Sequence, residues 1–168
     1  MSNREVDLLI RIQDGLVDKP GVIPAARTLS HFGEHALGWF ALSGTGAVVD
    51  KQRRRQWLAL GASAFLAHAA SVVIKRIVRR TRPHDPRIRV GVGTPSRLSF
   101  PSSHATSTTA ALVSLSDLTG SKAPLVGIPV MMISRMVLGV HYPTDTLAGA
   151  VLGATTAKVI TAIERKSA

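Results

Sequence analysis

Long apolar runs alternate along the chain with short clusters of basic and turn-forming residues, a rhythm that predicts an all-α protein. Residues 4–16 mix Val6, Leu9, Ile10 and Ile12 with Arg4, Asp7, Arg11 and Asp14, an amphipathic pattern too polar to cross a bilayer. Such a helix suits a membrane interface and a water-facing protein surface equally well. Lys19-Pro20-Gly21 breaks it, and a second short helix is expected from about Val22 to Phe32. Five apolar segments follow, at 35–49, 57–74, 105–118, 125–140 and 147–163. The second is the strongest transmembrane candidate, whereas the first is short against the ~20 residues that a helical span needs. The run 57–74 continues into the basic stretch KRIVRRTR, expected to stay helical until Pro83 removes a backbone donor. Residues 84–100 contain Pro86, Gly91, Gly93 and Pro95 and read as an irregular loop. No repeat, low-complexity tract or linker divides the chain. The expectation is one membrane helical bundle over residues 1–168, with interfacial helices over 1–33 and about five spans over 34–165.

Charge changes the picture only in part. A formal net charge of +11 on a soluble protein would suggest nucleic acid. Here 45% of the residues are hydrophobic, only 4% are aromatic, and the basic clusters flank the apolar runs. That distribution suits membrane spans and not a base-stacking platform, so membrane lipid is the expected partner and nucleic acid is not. The absence of cysteine excludes disulfides, thiolate metal sites and thiol catalysis. The segment MSNREVDLLIRIQDGL carries acids among its apolar residues and lacks the apolar core of a signal peptide. Insertion is therefore expected from the internal segments, as a multi-pass protein of the cell membrane. The basic residues divide almost evenly between the two sides, so they do not orient it. Gly149 and Gly153 in the last apolar run are spaced for close helix approach, within the bundle or as a homo-oligomer face.

Three stretches put polar residues where a bundle should be apolar. In the first, Lys75 and Arg82 are seven residues apart and would share one face of a continuous helix, either gripping a phosphate or forming a positive membrane flank. In the second, Ser102, Ser103 and His104 precede an apolar run. A serine cap there would leave free N–H groups that attract an anion, with His104 beside it; the plainer reading is a cap and an interfacial histidine. In the third, Arg135 lies within an apolar stretch, where it is costly unless it meets a partner or a wet cavity. His141 would end that helix, and Asp145 would follow Pro143 in the first turn of the next. An imidazole–carboxylate hydrogen bond across this junction would fix the His141 tautomer. In an alternating bundle all three stretches fall on one side of the membrane. Cations, two imidazoles and one carboxylate at one place meet the needs of phosphoryl transfer. Acids are too sparse for a carboxylate-built metal site, so neither metal nor cofactor is expected.

The same stretches resemble the signature of the type-2 phosphatidic acid phosphatase family, K-x6-R-P, P-S-G-H and S-R-x5-H-x3-D. This chain has Lys75…Arg82-Pro83, Pro101-Ser102-Ser103-His104 and Ser134-Arg135…His141…Asp145. The resemblance implies that His141 is the nucleophile, oriented by Asp145, and that His104 is the general acid. It also implies that Lys75, Arg82, Ser102, Ser103 and Arg135 bind the phosphate. Ser103 stands at the family's glycine position and adds a hydroxyl near the substrate. The short chain and compact basic loop resemble the small actinobacterial members. That likeness implies removal of the 5-phosphate from the polyprenyl phosphosugar decaprenylphosphoryl-5-phosphoribose. Arg87, Arg89 and Arg97 would then hold the second phosphate, or else contact lipid headgroups. A polyprenyl pyrophosphate, phosphatidic acid or phosphatidylglycerophosphate phosphatase would use the same cluster. A non-catalytic lipid-binding protein is the rival of another class, and intact His104, His141 and Asp145 argue against it.

Overall fold

In a computed structural model, residues 3–167 are described. They form α1 (Asn3–Leu16), α2 (Val22–Gly33), α3 (Leu37–Val49), α4 (Arg54–Val78), α5 (Ser103–Thr119), α6 (Gly127–Val137) and α7 (Pro143–Lys166). No strand occurs among the described residues; Thr81 and Leu98 form an isolated bridge. Local chemistry sets several of the helix ends. The Asp50 side chain accepts the Arg53 N–H at 3.2 Å and the Trp57 Nε1–H at 3.2 Å, which turns the chain from α3 into α4. Ser102 caps α5, and Pro143 opens α7 at a position that needs no backbone donor.

Two helices stop earlier than the apolar pattern predicts. Helix α4 ends at Val78 and not at Pro83, because Arg79 turns left-handed at φ 53°. Residues 80–82 then run alongside 97–99, with Ser99 N–H donating to Arg80 O at 2.8 Å and Arg82 N–H to Arg97 O at 3.1 Å. The backbone groups released by the helix thus find partners across the loop. Lys75 and Arg82 consequently do not share a helical face. Helix α6 ends at Val137, so His141 lies in a connector, 138–142, and not on the helix. Gly139 turns that connector at φ 68°, where a Cβ would collide with the Arg89 carbonyl and approach Gln13 Nε2 to 3.0 Å.

Helices α4, α5 and α7 pack through small residues, among them Ala67, Ala110 and Ala157. A Cβ on Gly149 would come within 2.7 Å of the Ser102 carbonyl, and one on Gly153 would overlap the Thr106 carbonyl. The glycine face is therefore occupied by α5 within the chain and is not open to a second copy. Helix α1 is also seated on protein. Leu9 packs with Ile88 and Met136, while Gln13 Nε2 donates to Arg89 O at 2.7 Å and Val137 O at 2.9 Å. Lys51–Val78 and Pro143–Lys166, of 28 and 24 residues, are long and apolar enough to cross a bilayer. They turn Phe65, Val73, Leu147 and Val151 outward, as helices facing lipid would.

Candidate active site

The loop after α4, the start of α5 and the α6–α7 connector converge on one cavity of about 630 Å³. The Ser102 N–H donates to the Asp145 carbonyl at 2.9 Å, tying the start of α5 to that of α7. Lys75, Arg82, Ser103, His104, Arg135 and His141 all line the cavity, while Ser102 and Asp145 lie fully buried behind it.

His141 is 2% exposed. Burial, followed by the nearby Arg82, Arg135 and Lys75 charges, holds its imidazole well below the ordinary histidine value, so the ring is neutral. Its Nε2 lies 3.2 Å from Arg82 Nη1. An arginine can only donate, so this nitrogen carries the lone pair and Nδ1 the proton. Nδ1 faces Asp145 Oδ2 at 3.5 Å, an ion-pair separation without hydrogen-bond geometry, and it has no other partner. The expected His–Asp hydrogen bond is therefore not closed. Asp145 Oδ2 accepts the Tyr142 N–H at 2.8 Å instead, and Oδ1 accepts from Arg80 at 2.9 Å.

The cations differ in how they are satisfied. Arg82 donates to Ser96 O at 2.8 Å and Val140 O at 2.7 Å. Burial lowers it to about 10, partly offset by Asp145, so it stays charged at neutral pH. Arg135 is 2% exposed and donates from Nη1 to Ser30 Oγ at 2.7 Å, while its buried Nε has no partner. Lys75 gives its three hydrogens to the carbonyls of Leu98, Ser99 and Pro101, at 3.3, 3.1 and 2.9 Å. Its charge faces the cavity, but its hydrogen bonds hold the 98–101 loop and not a ligand. All these acceptors are neutral, so the cavity keeps a net positive field suited to an anion.

At the start of α5, Ser102 Oγ accepts the Ala105 N–H at 3.4 Å. Its hydroxyl is thus engaged as a cap and does not reach into the cavity. The first N–H groups of this helix have no intrahelical acceptor. The Ser103 hydroxyl shares a 2.8 Å hydrogen bond with Ser71 of α4, which turns it away from the cavity centre. His104 Nε2 donates to Ser30 O at 2.9 Å, so Nδ1 carries the lone pair of the neutral ring. No cluster of three metal-type ligands occurs among the described residues.

Sequence reasoning missed Arg80 and Glu5. Arg80 bridges Asp145 Oδ1 at 2.9 Å and Glu5 Oε2 at 2.6 Å, with its guanidinium 4.1 Å above the Tyr142 ring. Glu5 also accepts the Thr144 N–H at 3.0 Å and the Thr144 hydroxyl. Burial opposes the Glu5 charge, but the Thr144 and Arg80 hydrogen bonds outweigh it and hold the carboxyl below its ordinary range. Helix α1 is in this way wired to the carboxylate behind His141. Nothing in the spacing marks Arg80 among the cations of 75–82, and Glu5 is 75 positions away.

The sequence profile of the PAP2 superfamily matches residues 56–168. The chain belongs to the PAP2 superfamily. It is 61% identical over 142 residues to the decaprenylphosphoryl-5-phosphoribose phosphatase of Mycolicibacterium smegmatis, covering 84% of this chain and 79% of that protein. The Mycobacterium tuberculosis protein of the same name is 52% identical over 159 residues, or 95% and 90% of the two chains. The fold matches the crystal structure of a transmembrane PAP2-type phosphatidylglycerolphosphate phosphatase from Bacillus subtilis. There the TM-score is 0.74 at 21% identity, over 98% of this chain and 88% of that one. The present chain is accordingly a PAP2 phosphatase and a membrane lipid phosphatase.

Proposed function

We propose that this PAP2 phosphatase hydrolyses the phosphomonoester of a polyprenyl-linked phosphosugar, decaprenylphosphoryl-5-phosphoribose, through a phosphohistidine intermediate. The chemistry rests chiefly on the neutral, buried His141, whose Nε2 lone pair meets Arg82 at the cavity wall. The substrate rests on the two mycobacterial relatives.

His141 Nε2 attacks phosphorus in line, forming the N–P bond as the P–O bond to the sugar breaks. Arg82, Arg135 and the N–H groups at the start of α5 stabilise the equatorial oxygens, and Lys75 adds its charge while keeping the loop in place. His104, doubly protonated once the phosphate dianion is bound beside it, gives its Nδ1 proton to the departing sugar oxygen while Nε2 keeps its hydrogen bond to Ser30 O. In the second step His104 takes a proton from water, which attacks phosphorus; the N–P bond breaks and phosphate leaves. Asp145, 3.5 Å from Nδ1, orients His141 and stabilises the positive charge that the ring gains. No step requires a metal.

The two long apolar helices, Lys51–Val78 and Pro143–Lys166, support a multi-pass reading in the cell membrane, with the cavity at one interface. The test is phosphate release in detergent with a chelator present, compared over phosphosugar-linked, monophosphate and pyrophosphate polyprenyl lipids. The phosphosugar lipid is expected to give the highest kcat/KM. A preference for the pyrophosphate would replace this substrate, and loss of activity on chelation would overturn the metal-free mechanism.

A further inference from the structure

Arg87 and Arg89, two of the loop arginines expected to hold a second phosphate, are engaged elsewhere. Arg87 pairs with Asp85 at 2.9 Å and Asp7 at 3.5 Å, and Arg89 with Asp18 at 2.6 Å. Neither they nor Arg97 line the cavity. The wall away from the buried arginines is built differently, from Glu34, His35 and His68, with His31, Val72 and Arg76 at its edge.

Glu34 and His35 belong to a 3-10 turn, Glu34–Ala36, between α2 and α3. There His35 (φ 49°) and Ala36 (φ 61°) both take the left-handed conformation that residues with a Cβ avoid. Strain of this kind persists where the surroundings demand it, often beside a ligand site. The kink sets the His35 ring beside that of His68 on α4, with centroids 6.0 Å apart. The Nδ1 atom of His68 is buried and has no hydrogen-bond partner. His68 precedes Lys75 by seven residues on α4, two turns along the same face and about 10 Å along the helix axis. A sugar ring and the side chains reaching toward it fill such a gap.

The chemistry of this wall selects a ligand class. A carboxylate accepts hydrogen bonds from hydroxyls and repels a second anion, and an imidazole offers one donor and one acceptor. Glu34 has His31 3.9 Å away and, among the described residues, is the only acid lining the cavity. A second phosphate directly beside the first would therefore meet a carboxylate, whereas sugar hydroxyls would meet complementary groups. We propose that Glu34, His35 and His68 form a sugar subsite that binds the hydroxyls of the headgroup whose phosphate lies among Arg82, Arg135 and His141. This subsite rests on the phosphosugar reading given above.

The experiment uses the full chain in detergent, with Glu34→Gln, His68→Phe and His35→Asn, the last tolerating a left-handed backbone. Two quantities are measured. The first is the ratio of kcat/KM on the phosphosugar lipid to that on a sugar-free prenyl monophosphate. The second is inhibition of prenyl monophosphate hydrolysis by ribose 5-phosphate relative to inorganic phosphate. The substitutions are expected to lower the first ratio about tenfold, as loss of a hydrogen bond to the ligand does, and to erase the preference for ribose 5-phosphate. Unchanged ratios, or equal losses on both substrates, would overturn the subsite even if the phosphosugar lipid remains the best substrate. If the wild type ignores the phosphosugar lipid but prefers ribose 5-phosphate over phosphate, the substrate reading falls and the subsite stands.

Discussion

Two sets of arginines in this chain behave in opposite ways. Arg82 and Arg135 point into the cavity and are held by carbonyl and hydroxyl oxygens. Arg80, Arg87 and Arg89 lie on the outer side, each bound to a carboxylate. A guanidinium satisfied by neutral groups keeps its field for an incoming anion, whereas one paired with a carboxylate is largely neutralised. Counting cations in the sequence cannot separate the two sets. What separates them is where Glu5, Asp18, Asp85 and Asp145 fall in the fold.

The comparison can be broken at its centre first. His141→Ala is expected to lower kcat by at least about 10⁴-fold, because the proposed attacking nitrogen is lost while the field remains. Single-turnover phosphate release would measure this, and retained activity would remove His141 as nucleophile. Next, Arg82→Ala and Arg135→Ala should each cost roughly 10²–10³-fold, the scale of removing a charge from the transition state. Arg87→Ala and Arg89→Ala should change kcat/KM by less than about twofold, since exposed ion pairs contribute little. Similar losses in both sets would erase the distinction between inner and outer arginines.

Arg80 tests the boundary between them. Arg80→Ala frees Asp145 Oδ1 and should lower kcat about tenfold with little change in KM, while Glu5→Gln should act in the same direction and less. A double-mutant cycle in kcat would show their coupling; strictly additive effects would mean that α1 does not reach the site through Arg80. The smallest effect is on stability. His141 is neutral in the fold, below its ordinary 6.5, so the unfolded chain binds the extra proton as pH falls. The stability that this neutral ring contributes is complete above about pH 6.5 and declines as the pH is lowered toward the folded value. Thermal melts between pH 7 and 5 should show a falling Tm, with a shallower slope in His141→Asn.

Much of the architecture was legible from local pattern. The apolar periods located the helices, Ser102 and Pro143 marked two starts, and the alternation of the bundle brought the three polar stretches to one side. The misreadings share a cause. KRIVRRTR has the composition of a helix, and only the pairing of residues 80–82 with 97–99 made an earlier stop at Val78 favourable. Residues 138–140 are apolar, yet the turn at Gly139 with Gln13 and Arg89 against it takes them out of α6. Gly149 and Gly153 were recognisable as a close-packing face, but which helix would pack there was not.

The sequence by itself determined the helical class, the polar stretches and the residue types available for phosphoryl transfer, because these depend on short-range periodicity and spacing. The tertiary structure alone decided the state of each group. It turned Lys75 toward the loop carbonyls, left Nδ1 of His141 short of a hydrogen bond to Asp145, tied Arg80 to Glu5, and set His35 beside His68. Those outcomes depend on which distant partner reaches a charge first, and spacing along the chain carries no record of that.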